Sequence, residues 1–217
     1  AIRVNEDHRP RTSVYQVSLD PPILLAMAAH SQNLRVMKLR GHHALLTDAG
    51  YEAIARSCTK LEEIDIILSE SVSELSVRSV LIGCRALRQL LIFFTSFKGA
   101  SQSQQCLTDA AFQGEQPWGR HLERLCIAGS HITDVALTAI AENCTRLKLI
   151  DMTGCEGITQ VGISRLVQGC RRLRAVHVRN CKQLLSPEED DSPDDDEISD
   201  DENSYESYKY DSDGMDD

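Results

Sequence analysis

The 217-residue chain is long enough for one ordinary domain with appendages; it is 41% hydrophobic but only 5% aromatic, so any core must be mainly aliphatic. Its net charge of −10 is unevenly placed: residues 187–217 hold sixteen acidic residues and one lysine, a net −15, which leaves +5 on residues 1–186. No apolar run approaches the roughly 18–20 residues of a membrane span, and no signal peptide opens the chain, which begins at Ala1 rather than a methionine and so reads as a fragment or processed product.

In chain order, residues 1–22 form a lead-in in which Val14, Tyr15, Val17 and Leu19 fit either a strand or a connection to something upstream. Pro21 and Pro22 suit the first turn of a helix over 23–29, a half-unit at the start of the body. Then Leu-x-x-Leu-x-Leu, with aliphatic substitutes, recurs from Leu34, Leu61, Leu87, Leu122, Leu147 and Leu173, at intervals of 27, 26, 35, 25 and 26 residues. Each copy predicts a short strand, because its last two aliphatic residues alternate with one facing the other way. Between the strands, Tyr51/Ile54/Cys58, Val77/Val80/Cys84, Leu137/Ile140/Cys144 and Ile163/Leu166/Cys170 are spaced as one stripe of a helix. Thr47, Thr133 and Thr159 precede three of these helices as N-caps, since a hydroxyl there can accept an orphan backbone N–H.

The long third interval holds extra residues at 98–105 and 114–119, and Trp118 stands there as a packing anchor. The eight cysteines contain no Cys-x-x-Cys pair, the usual start of a zinc site. Cys58, Cys84, Cys144 and Cys170 each fall three residues before an anchor leucine, and Cys155 and Cys181 eight residues after one, which suits small buried side chains. Reduced thiols in the cytoplasm or nucleus are the expectation. A single unit of this size buries too few side chains to offset the ordering of its backbone, so neighbours must share faces.

These features, most fully the run CTRLKLIDMTGCEGITQVGISRLVQGCRRLRAVHVRNC at 144–181, resemble the cysteine-containing leucine-rich repeats of F-box/leucine-rich-repeat proteins and of the related mitotic-exit antagonist family. The resemblance covers about 34–181. It implies an α/β leucine-rich-repeat solenoid, a horseshoe arc of about six strand–helix repeats of ~26 residues, over 23–185, followed by a disordered acidic tail over 186–217. It further implies a concave sheet face that binds protein, with Asp65, Leu91, Phe93, Arg124 and Arg179 as its contact residues: an apolar centre with a charged rim. The function implied is substrate recognition for a cullin (SCF) ubiquitin ligase, reached through an F-box that is not visible in these residues. A free-standing scaffold or inhibitor is the alternative, and an acidic-tail binder of basic clients a third.

Residues 187–217 are too charged and too poor in aliphatic side chains to fold alone, and Ser192 and Ser199 lie in acidic contexts that suit phosphorylation. No nucleophile elbow, phosphate loop or His-Glu-x-x-His appears, so no catalytic, cofactor-binding or metal-binding residue is expected. The expected partner is a protein substrate or client, bound by a chain that is monomeric on its own. Nucleic acid is disfavoured, because the basic residues are scattered and the tail would repel phosphate.

Overall fold

The structure, a computed structural model, describes residues 2–5, 11–15, 32–38, 47–69, 72–94, 107–114 and 117–184. The chain divides into two units, Ala1–Leu185 and Ser186–Asp217, and the described residues all belong to the first. Among the described residues, eight strands stand in chain order in one sheet: β1 (Ile2–Asn5), β2 (Arg11–Tyr15), β3 (Leu34–Lys38), β4 (Glu63–Leu68), β5 (Gln89–Phe94), β6 (Arg124–Cys126), β7 (Leu149–Asp151) and β8 (Ala175–His177). The six strands β3–β8 are all parallel. β2 joins β3 in the same sense, and β1 pairs with β2 antiparallel.

Among the described residues, four α-helices alternate with the parallel strands: α1 (Asp48–Ser57), α2 (Glu74–Gly83), α3 (Asp134–Asn143) and α4 (Gln160–Gly169). Parallel neighbours need such crossovers, which a tight turn cannot provide. Ile64, Leu90, Leu125, Ile150 and Val176 are register partners on successive strands, so one face of the sheet carries a continuous aliphatic row. The first four are fully buried, whereas Val176, on the last strand, is only partly so. Each fully buried side chain of this kind stabilises by about 1.5–3 kcal/mol. The helix stripes meet this row: Tyr51, Ile54 and Cys58 of the first, Val77, Val80 and Cys84 of the second, and Leu137, Ile140 and Cys144 of the third are all buried. In α4 Leu166 and Cys170 are buried while Ile163 is half-covered.

The expectation of a leucine-rich-repeat solenoid of about six strand–helix repeats is corrected by this architecture. Four α-helices, not six, accompany the six parallel strands among the described residues. The β5–β6 connection carries a four-residue 3-10 helix, Asp109–Phe112, and an antiparallel pair precedes the parallel run. The reason for the difference is physical. Leu-x-x-Leu-x-Leu reports which strand residues face the helices, and any parallel sheet covered by helices makes that demand. What the structure supports is an α/β chain in which six sequentially ordered parallel strands, β3–β8, alternate with helices within one larger sheet. The helix expected at 23–29, the insertion at 98–105 and the acidic tail at 186–217, with Ser192 and Ser199, lie outside the described residues.

The 3-10 helix fills the place of a longer helix with aromatic bulk. Phe112 and Trp118 are both buried, with ring centroids 5.9 Å apart, so Trp118 is a packing anchor as the sequence suggests.

A ladder of carboxylates joins the helix starts. Asp48 accepts from the backbone N–H and the hydroxyl of Ser73, both at 2.8 Å. Glu74 does the same for Thr108 at 2.9 and 2.7 Å, Asp109 for Thr133 at 2.8 and 2.7 Å, and Asp134 for Thr159 at 2.9 and 2.6 Å. Each carboxylate opens one helix and holds the N-cap of the next; each cap hydroxyl in turn accepts the N–H two residues on. Thr133 and Thr159 therefore cap as expected, and Ser73 and Thr108 join them. Thr47 occupies an N-cap position without a side-chain cap bond. Burial pushes the Asp48 carboxyl up, but the hydrogen bonds from Ser76 and Ser73 outweigh it and hold the group below its ordinary value.

Seven cysteines are described and all are free thiols. Cys58, Cys84, Cys144 and Cys170 are the C-caps of α1 to α4. The Cys170 thiol donates to the Cys144 carbonyl at 3.3 Å, Cys155 to that of Ile127 at 3.3 Å, and Cys181 to that of Met152 at 3.2 Å. Burial pushes Cys84 up to about 12 and Cys170 to about 11, and it raises Cys58, Cys144, Cys155 and Cys181 as well. Since the thiolate is the nucleophile, iodoacetamide at pH 8 is expected to leave these six unmodified in the native chain and to label them in urea. Peptide mapping reads the difference, and rapid native labelling of any of the six would contradict this packing.

Candidate protein-binding surface

Strand alternation places a second set of side chains on the face turned away from the aliphatic row. Val36, Glu63, Gln89, Arg124, Leu149 and Ala175 are register partners across β3–β8, and Asp65, Leu91, Cys126, Asp151 and His177 form the next row across β4–β8. Ile67 and Phe93 pair beyond them. The buried rows repeat in chemistry from unit to unit, whereas these outward rows do not.

The five expected contact residues separate on this face. Asp65 and Leu91 are register partners and therefore neighbours, but they are only 1% and 5% exposed. They are enclosed rather than offered as contacts. Phe93, two residues along from Leu91, is 40% exposed, a large apolar side chain presented on this face. Arg124 is half-buried at the start of β6 and pairs in register with Gln89, not with Leu91. Arg179 is exposed in the turn after β8, three strands away from β5, so it does not join Phe93 in one cluster.

Cys126, Asp151 and His177 sit side by side on β6, β7 and β8. The Cys126 sulfur lies 4.0 Å and the His177 Nδ1 3.9 Å from Asp151 Oδ2. The order is wrong for a nucleophile–base pair, because the carboxylate stands between thiol and imidazole. Burial, reinforced by Asp151, also pushes the Cys126 thiol up to about 11. Among the described residues no group of three His, Cys, Asp or Glu side chains is placed to hold a metal ion. No helix among them is long and apolar enough to cross a membrane.

A further row, which the sequence reading passed over, lies at the amino-terminal ends of the strands. The residue after each anchor leucine donates its N–H to the carbonyl of its counterpart one strand back: Glu62 to Arg35, Arg88 to Glu62, Glu123 to Arg88, Lys148 to Glu123 and Arg174 to Lys148. Their side chains therefore stand in line. Arg35 pairs with Glu62, Arg88 with Glu123 at 2.9 Å, and Lys148 with the same Glu123 at 2.6 Å. The hydrogen bond from Lys148, aided by Arg88, holds the Glu123 carboxyl below its ordinary value. This row and the one beginning at Glu63 line a groove of about 480 Å³ from β4 to β8. The signal was present in the sequence: once the anchors are aligned, the next column reads Arg, Glu, Arg, Glu, Lys, Arg.

Set beside known proteins, the chain matches no protein-family model and no curated protein.

Proposed function

We propose that the chain is a protein-binding module that recognises a protein target on the outward face of its sheet. The observation that carries this reading is Phe93, an aromatic side chain 40% exposed on a strand, beside the row Asp65, Leu91, Cys126, Asp151 and His177, whose chemistry changes at every step. Phenylalanine is among the side chains enriched at protein interfaces relative to the rest of the surface. The resemblance of 144–181 to the repeats of F-box/leucine-rich-repeat proteins supports the narrower reading, substrate recognition within a cullin ubiquitin ligase, with the F-box supplied from outside these residues. The seven described cysteines, all free thiols, suit a reducing compartment, cytoplasm or nucleus.

The test is purification of the endogenous chain through a C-terminal tag, with mass spectrometry, for the natural sequence and for Phe93→Ala. A partner whose recovery drops about tenfold in the variant, together with cullin components, is the expected result. A partner set unchanged by Phe93→Ala would count against this face. Partners lost with Phe93 but no cullin would remove the ligase role and leave a scaffold or inhibitor.

A further inference from the structure

The line of charges at the amino-terminal ends of the strands alternates until its last step. Arg35, Glu62, Arg88, Glu123 and Lys148 run positive, negative, positive, negative, positive; Arg174 then repeats the positive sign where alternation calls for an acid. Glu123 is shared by Arg88 and Lys148, so no carboxylate of the row is left for Arg174. Arg124, in the adjoining row, also has no ion pair among the described residues. At the opposite end of the groove Glu62 and Glu63 are matched by Arg35 and Lys38. The groove is thus balanced at β4 and short of negative charge at β6–β8.

From this we infer that the groove receives an extended acidic segment of a partner protein, with its carboxylates at Arg124 and Arg174. An arginine fork takes a carboxylate by paired hydrogen bonds, and Lys148, already held by Glu123, adds field rather than a new contact. The dimensions suit a peptide. Four interstrand steps of about 4.8 Å span about 19 Å, the reach of roughly six extended residues. Nucleic acid fits less well: Glu62, Glu63 and Glu123 on the lining would repel a continuous run of phosphates, and the lining holds no aromatic ring for a base to stack on. The groove shares the outward face with Phe93, so the inference rests on the protein-binding reading above, but its variants leave Phe93 intact and the two therefore fail separately.

Fluorescence anisotropy with the full chain decides the matter. The probes are a labelled ten-residue peptide with four Asp or Glu at one end, its Asn/Gln counterpart, and single-stranded DNA of equal charge. The expected result is saturable binding of the acidic peptide, at least tenfold weaker for the amide peptide, weakened at least tenfold by R124E/R174E and less strongly by the milder R124Q/R174Q. R171E/R172E, in the exposed turn before β8, should change it less than twofold; thermal melts confirm that the variants fold. No binding of the acidic peptide, equal binding of the amide peptide, an equal loss in R171E/R172E, or tighter binding of DNA would each overturn the inference.

Discussion

Asp109→Ala is expected to destabilise the chain by about 3 kcal/mol, because hydrogen bonds to a charged acceptor contribute roughly 1.5–3 kcal/mol each and several are lost together. Asp109 accepts from the Thr133 N–H, the Thr133 hydroxyl and, at 3.2 Å, the Ala136 N–H. All three donors belong to the start of α3, so the truncation strips that helix of its tie to the preceding unit. Thr133→Ala alone should cost less, about 1–2 kcal/mol for a cap, since the Ala136 bond survives. Urea unfolding of both single variants and the double variant gives their coupling. Groups in direct contact should couple by at least about 0.5 kcal/mol; strictly additive losses would mean that the carboxylate does not act through Thr133.

Gly169→Val is expected to cost a similar amount, about 3 kcal/mol, by overpacking. A Cβ on Gly169 would stand 2.6 Å from the Ala141 carbonyl oxygen and 2.7 Å from the Ala141 Cβ, so α4 would have to retreat from α3. Gly83 meets Ala55 of α1 in the same way, at 2.4 Å from the carbonyl oxygen. Gly114 provides the contrast, since its Cβ would approach nothing closer than 3.6 Å, and Gly114→Ala should stay within about 0.5 kcal/mol. In a chain of this size 3 kcal/mol corresponds to roughly 6–12 °C in Tm, and thermal melts of the two variants measure it. A Gly169→Val protein that melts with the natural chain would show that the helices are not in contact at this point.

The inward half of this structure was legible in the sequence, because packing demands a repeat that the residues record. The strands at Leu90, Leu125 and Ile150, the helix stripes and the cysteines at the helix ends all lie where the spacing places them. The architectural class was less legible. The same spacing serves any parallel sheet faced by helices, and the short strands Ile2–Asn5 and Arg11–Tyr15 carry no repeat. The candidate surface was the hardest part. Alternation assigned Asp65 and Leu91 to the outward face, but the side of a strand a residue occupies does not say how far it is covered, and both are buried. The cap ladder, by contrast, was written plainly in Thr47-Asp48, Ser73-Glu74, Thr108-Asp109 and Thr133-Asp134. It is missed when caps are sought as single residues rather than as links between units.

That ladder has a direction. Asp109 serves Thr133 and Asp134 serves Thr159, and the last α-helix opens with Gln160 in the place of an acid. Each helix between the first and the last leans on a residue made earlier and lends one to a residue made later. On the ribosome, where domains emerge amino end first, the acceptor that anchors a new helix is already in place when its cap appears. A released fragment ending at Asn143 should therefore hold α3 with its start fully tied, whereas a fragment beginning at Thr133 would lack the acceptor for its first turn.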